Sequence, residues 1–228
     1  MAAIDQQKNT RKAVLIIDDH PIVRQGLRAL IEQEEDLTVS GEAGNSAEAL
    51  DQLATTTPDL LLVDISMKGP DGLELTKSVR SLKPDLPILI VSMHDENLYA
   101  ERVLRAGANG YIMKEEVAQN MIEAVRKVLA GDIYISDRMR QRILRGVAGQ
   151  RQQPTSFSVE RLSDRELEVF RLIGQGRSTR QIAEELHLSV KTIETYRAHI
   201  KEKLHLANAN ELVRQAVQWY ERLSPSES

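Results

Sequence analysis

The chain has 228 residues, no cysteine, an apolar fraction of 41% and a formal net charge of −4. That length suits one large domain or two modest ones, and the lack of cysteine excludes a disulfide framework or a thiolate metal site. No apolar run reaches the roughly 18–20 residues of a membrane helix, and the opening MAAIDQQKNT has no signal-peptide core, so a cytoplasmic globular protein is expected.

The elements can be taken in chain order. Ala13–Ile17 is a β-branched run closed by Asp18-Asp19, and Pro21 then opens a helix whose apolar residues recur at helical spacing. Leu37–Ala43 predicts a second strand, and Ser46 an N-cap for a helix through Ala54. Leu60-Leu61-Leu62-Val63 is an apolar run of strand length that ends in a carboxylate, Asp64, as an interior strand of a parallel sheet would. A Gly/Pro loop, Lys68–Gly72, leads to a helix reaching about Leu82. Ile88–Met93 predicts strand four, Asn97–Ala106 a helix capped by Gly107, Gly110–Lys114 strand five, and Val117–Ala130 a helix closed by Gly131. Five strands alternating with five helices over short connections imply right-handed crossovers and a doubly wound parallel sheet of order 2-1-3-4-5.

After Gly131 the pattern changes. Asp137–Val147 predicts a helix rich in arginine, and residues 148–160, polar and containing Pro154, predict a flexible linker. From Leu162 every pattern is helical. Ser163 with Glu166 forms a capping box, with Leu162 stapled onto Leu167; Ser178 caps Thr179–Leu186, Ser189 caps Val190–Leu204, and Asn210 caps Glu211–Arg222. The tight turn His187-Leu188-Ser189 makes a helix-turn-helix. The tail Ser224–Ser228 is expected to be disordered.

In an open α/β sheet the working site lies beyond the carboxyl ends of the strands, where the strand order reverses. Asp18, Asp19 and Asp64 converge there and repel one another, and the usual remedies are protonation or a hard cation such as Mg²⁺. Strand four adds a hydroxyl, Ser92, and strand five an ammonium, Lys114. That inventory suits phosphoryl transfer to a carboxylate. A polar residue at one strand end is usually only solvated, and His20 and His94 are read as bystanders; five suitable residues at four strand ends are harder to dismiss.

These residues lie in IIDDHPIVRQGL, LLLVDISMKGPDGLEL, ILIVSMHDE and AGANGYIMKEE, and residues 12–130 so resemble the flavodoxin-like receiver domain of a two-component response regulator. The resemblance implies Asp64 as phosphoacceptor for a histidine kinase. It implies Mg²⁺ held by Asp19 and Asp64 directly, by Asp18 through water and by the Ser66 carbonyl. It also implies Ser92 and Tyr111 as the switch pair and Lys114 as the phosphate-binding lysine. Glu115 stands where many relatives carry proline.

Residues from Leu162 to about Tyr220 resemble the LuxR-type helix-turn-helix, so the whole chain resembles a NarL/FixJ-type transcriptional regulator, a binding protein rather than an enzyme. The implied organisation is a receiver over 1–130, a linker with a helix over 131–160 and a DNA-binding domain over 161–228. A recognition helix Val190–Leu204 would present Glu194 and Thr195 to bases of double-stranded DNA. Lys191, Arg197 and Lys201, with Ser178 and Arg180 from the preceding helix, would face phosphates, and Thr192 lies on the same helix. Lys203 and Glu202 are read as ordinary surface residues. Charge points the same way, though weakly. Residues 1–130 carry 14 basic and 21 acidic side chains, residues 131–228 carry 16 and 13, and residues 161–228 carry 11 and 10. So slight an excess predicts modest non-specific affinity and favours a homodimer. For Leu212, Val213, Ala216 and Trp219 on the last helix, a dimer contact and a place in the domain's own core are both open.

Two other classes compete. A phosphohydrolase on such a sheet would want a second carboxylate two residues after its nucleophile, where this chain has Ser66. A flavin-binding domain would want a Ser/Thr/Gly-rich loop where this chain has Asp18-Asp19.

Overall fold

The computed structural model describes residues 11–67, 72–93, 96–147, 159–186 and 188–223. The expected Gly/Pro loop at 68–71, His94, the linker at 148–158, His187 and the tail fall outside the described residues. The chain divides into two compact units, residues 1–150 and 151–228.

The first unit alternates strand and helix: β1 (Lys12–Ile17), α1 (Pro21–Glu32), β2 (Leu37–Ala43), α2 (Ser46–Thr55), β3 (Leu60–Asp64), α3 (Gly72–Leu82), β4 (Ile88–Ser92), α4 (Glu96–Arg105), β5 (Gly110–Met113), α5 (Val117–Leu129) and α6 (Asp137–Val147). All pairs are parallel, in the order β2-β1-β3-β4-β5. β3 and β4 are buried along their whole length, which is why they are continuous apolar runs. On one face Val14, Ile16, Leu60, Leu62, Leu89, Val91 and Ile112 pack with α1 and α5 through Leu27, Ile31, Met121 and Val125. Residues of the other parity, Leu15, Ile17, Leu61, Val63 and Ile90, are buried as well, so helices cover both faces.

The sheet's register builds the site. Ile17 pairs with Val63, so the residues that follow, Asp18 and Asp64, leave adjacent strands side by side. Some element boundaries differ from expectation. Asn45, not Ser46, caps α2 by accepting the Glu48 N–H at 3.0 Å, and Ser46 is its buried first residue. Lys114 begins a short 3-10 turn instead of ending β5. Gly107 and Gly131 close α4 and α5 with φ of 104° and 91°, the left-handed backbone that glycine adopts freely. The helix expected within the linker is present as α6 and packs on α4 in the first unit.

The second unit is helical: α7 (Asp164–Gly174), α8 (Thr179–Glu185), α9 (Val190–Lys203) and α10 (Ala209–Leu223), with a short 3-10 turn at Val159–Arg161. Ser163 and Ser178 both form complete capping boxes, with Glu166 and Gln181, and Ser189 caps α9. α10 starts two residues earlier than expected. Asn208 accepts the Glu211 N–H at 2.9 Å, the role expected of Asn210. Leu212 and Ala216 are fully buried, and the Trp219 ring lies 5.3 Å from that of Phe170. Three of the four apolar residues weighed for a dimer contact are thus spent on the unit's own core, and Val213 alone of the four is exposed.

Gly72 starts α3 against the strand that carries Asp64. A Cβ there would stand 2.1 Å from the Asp64 carbonyl oxygen. Gly72→Ala is therefore expected to destabilise the first unit by about 1–3 kcal/mol, although alanine favours helix by about 1 kcal/mol. Calorimetry of the whole chain reads this, and an unchanged or raised transition for the first unit contradicts it.

Candidate functional site

β1, β3, β4 and β5 end at one rim, and each delivers a polar residue to it. Asp64 is the last residue of β3 and is only 2% exposed. Asp18 is equally buried and Asp19 nearly so. Asp18 is held from two sides: its Oδ1 accepts the His20 N–H at 2.8 Å, and its Oδ2 accepts Lys114 Nζ at 2.6 Å. Lys114 Nζ also lies 3.1 Å from Asp64 Oδ2. One ammonium thus serves two carboxylates.

The electrostatics follow from that sharing. Burial raises the Asp64 pKa to about 6, against the pull of Lys114 and, more weakly, of the Ser66 amide; the Asp18 charge adds to the rise. For Lys114, burial works against the charge, but Asp64 and Asp18 outweigh it and hold the ammonium above its ordinary range. Among the described residues neither Asp64 oxygen makes a well-aligned hydrogen bond, a costly state for a buried carboxylate.

The donor set fits a divalent cation. Ligand atoms of Asp18, Asp19, His20 and Asp64 lie within 4.8 Å of one another, and oxygen donors are what Mg²⁺ takes. The fit is carried by the poorly satisfied oxygens of Asp64. His20, read from sequence as a bystander, belongs to this cluster: its Nδ1 is 2.8 Å from Asp19 Oδ1 and 3.4 Å from Asp18 Oδ1. Its only sequence signal was its place directly after the two aspartates. Ser66 lies just past β3 and is half-buried. Ser92 ends β4 fully buried, and Tyr111 of β5 is buried too, at 1% exposed. The switch pair named from the resemblance therefore has both members packed inside.

In the second unit, Lys191, Glu194, Thr195 and Ala198 are exposed along one stripe of α9, at the spacing that places side chains on one helix face. Thr192, Arg197 and Lys201 are half-buried beside them. Thr192 sits at the start of α9, where its amide donates to Ser189 Oγ at 3.0 Å. Ser178 and Arg180 are exposed at the start of α8, and Ser178 Oγ is engaged by the Gln181 N–H. Lys203 is committed elsewhere: its Nζ donates to buried Glu166 Oε2 at 2.6 Å, which ties the end of α9 to the capping box of α7. Lys203, expected to be an ordinary surface residue, is instead a tie within the fold.

Known proteins share both halves in this order. Residues 14–126 match the response regulator receiver domain family, and residues 160–216 match the luxR family of bacterial regulatory proteins. The oxygen regulatory protein NreC of Staphylococcus carnosus is 38% identical over 208 residues, covering 90% of this chain and 96% of that protein. A LuxR-family two-component response regulator from Aurantimonas covers 61% of this chain and 99% of its own at 34% identity, with a TM-score of 0.57. RcsB of Salmonella enterica serovar Typhimurium, solved on promoter P1flhDC with the phosphomimetic BeF3⁻, covers 91% of this chain and 100% of its own at 28% identity and a TM-score of 0.56. Among the described residues no helix is long and apolar enough to cross a membrane. With a relative of that identity along nine-tenths of its length, the chain belongs to the NarL/FixJ family of two-component response regulators, a receiver domain followed by a LuxR-type helix-turn-helix, and is a transcription regulator rather than an enzyme.

Proposed function

We propose that Asp64 accepts a phosphoryl group from a histidine kinase and that this modification controls DNA binding by the second unit. The observation that carries the reading is a buried carboxylate, poorly satisfied and beside a lysine already divided between two acids. An Asp64 oxygen attacks phosphorus, the P–N bond of the kinase phosphohistidine breaks, and the imidazole leaves as the neutral base once protonated. Asp19, Asp64 and the Ser66 carbonyl would hold Mg²⁺, with Asp18 acting through water; the ion supplies neutralising charge for the transferring oxygens. Lys114 moves from carboxylate to phosphate with little travel, since it is already 3.1 Å from Asp64. Ser92 donates its hydroxyl to the phosphate, and Tyr111 fills the adjoining space. The receiver is taken as residues 1–130, the connection as 131–160 and the DNA-binding domain as 161–228, in a cytoplasmic protein.

On α9, Glu194 and Thr195 read bases. Thr195 Oγ1 is turned back onto the Lys191 carbonyl at 3.1 Å, which leaves its methyl to meet an apolar edge such as a thymine methyl. Lys191, Arg197, Lys201, Ser178 and Arg180 hold phosphates, and Thr192 helps to set the start of the helix against the groove. RcsB has been solved as dimers on DNA, and the near balance of charge in this domain argues for the same doubling here.

Three outcomes test the reading. A small phosphodonor with Mg²⁺ adds one phosphoryl mass to the chain and raises its DNA affinity, and Asp64→Asn abolishes both; an equal response in Asp64→Asn overturns the assignment. The raised Asp64 pKa also sets a pH dependence. The folded carboxyl holds its proton more tightly than the unfolded one, so the stability this confers is full below the ordinary value of 3.8 and is lost as pH rises through about 6. In metal-free buffer at pH 8, Asp64→Asn is therefore expected to be more stable than the parent by at most about 3 kcal/mol, and Mg²⁺ closes the gap. A less stable Asp64→Asn under those conditions contradicts the electrostatics. Thirdly, Thr195→Ala is expected to cost about 1–3 kcal/mol at one base pair with the salt dependence unchanged. Lys191→Ala instead weakens all sequences alike and reduces the salt slope by about 1. Binding titrations across salt concentrations separate the two, and a uniform loss for Thr195→Ala would remove it from base reading.

A further inference from the structure

The stretch between α5 and α6 is stitched to β5, which carries Tyr111, and to α4, which begins four residues after Ser92. Tyr134 donates its N–H to the Asn109 carbonyl at 3.0 Å, and its own carbonyl accepts the N–H of Tyr111 at 2.8 Å. Gly110 permits the approach, because a Cβ there would stand 2.9 Å from the Tyr134 oxygen. Lys127 of α5 lies over the Tyr134 ring at 5.7 Å. Two residues on, Ser136 binds Glu96 at the start of α4 by two bonds: its N–H donates to Oε1 at 2.7 Å and its hydroxyl to Oε2. The same Ser136 Oγ accepts the Met139 N–H at 3.1 Å, and the Ser136 carbonyl accepts the Arg140 N–H at 2.9 Å, so this residue also starts α6. Met139 is fully buried.

One short segment therefore grips β5 at Tyr111, α4 four residues beyond Ser92, and the first turn of α6. α6 in turn leads into the residues that join the two units. We propose that residues 134–139 are the output lever of the receiver, and that the Ser136–Glu96 pair is the joint through which a change at Ser92 and Tyr111 reaches α6. This rests on phosphorylation of Asp64. The physics favours a joint over a mere clasp. A bidentate, charge-assisted pair is short and directional, so a rotation of α4 must either carry Ser136 with it or break both bonds. Because Ser136 Oγ also caps α6, breaking them changes the stability of the first helical turn. Ser136 and Glu96 are positioning residues and touch no phosphate.

The test uses the full chain and amide hydrogen exchange, with and without Mg²⁺ and beryllofluoride, on peptides spanning 92–105 and 133–147. In the parent, the mimic changes exchange in both. In Ser136→Ala and in Glu96→Gln the response at 92–105 persists while that at 137–147 falls about tenfold, the size of a lost charge-assisted hydrogen bond. Ser136→Thr, which keeps the hydroxyl, restores it. The phosphodonor-induced gain in DNA affinity follows the same pattern, a second readout for the case in which a variant frays α6. A purely structural pair would lower protection equally with and without the mimic. If 137–147 fails to respond in the parent, or responds alike in parent and variants, the lever is overturned while phosphorylation stands. If 92–105 also fails to respond, the phosphorylation reading falls with it.

Discussion

A single ammonium between two buried carboxylates is the interaction on which the first unit's chemistry turns. Lys114 is 2.6 Å from Asp18 and 3.1 Å from Asp64, and it cannot satisfy both fully. Low polarity sharpens the conflict, because charges that would be cheap in water become expensive when water is removed. The pocket is therefore held short of its electrostatic optimum. It can gain by taking up a hard cation, whose charge offsets the surplus of carboxylates. The parallel sheet makes this arrangement almost unavoidable. Register places the residues after Ile17 and Val63 side by side, and burial on both faces leaves the strand ends as the place for charge.

The second unit solves a different problem, how to hold a helix rigidly while leaving one face free. Glu166 is the hub. It accepts the Ser163 N–H at 2.7 Å to complete the α7 capping box and accepts Lys203 at 2.6 Å from the far end of α9. Burial raises its pKa, but Lys203 and Ser163 overcome that and hold the carboxyl below the usual glutamate range. Ile193 and Ile200, fully buried, fix the opposite side of α9. The exposed stripe is what remains after these anchors are spent.

Much of this was legible from residues alone, for reasons that differ by element. β3 and β4 announce themselves as apolar runs because both faces are covered, and the alternation with helices fixes the strand order once crossovers are right-handed. Ser163, Ser178 and Ser189 mark helix starts because capping is a local bond across three residues. Where two capping residues stand together, as Asn45-Ser46, or close by, as Asn208 and Asn210, local chemistry does not choose between them, and Asn45 and Asn208 cap where Ser46 and Asn210 are equally suited by type. The apolar stripe of α10 looks the same whether it meets α7 or a second chain; only tertiary packing shows that Leu212 and Ala216 face inward. Long-range pairs left no trace. Lys203 with Glu166 and Ser136 with Glu96 are separated by 37 and 40 residues and carry no periodicity. His20 was discounted because a lone histidine after a strand has no pattern to distinguish it.

Asp64 is destabilised as a carboxylate by its own fold. A carbon-detected NMR titration of the Asp64 carboxyl in metal-free full-length protein measures this directly. The account predicts a midpoint near 6, well above the ordinary 3.8, that drops when Mg²⁺ is added. A midpoint at or below 3.8 without metal, unmoved by Mg²⁺, would contradict it.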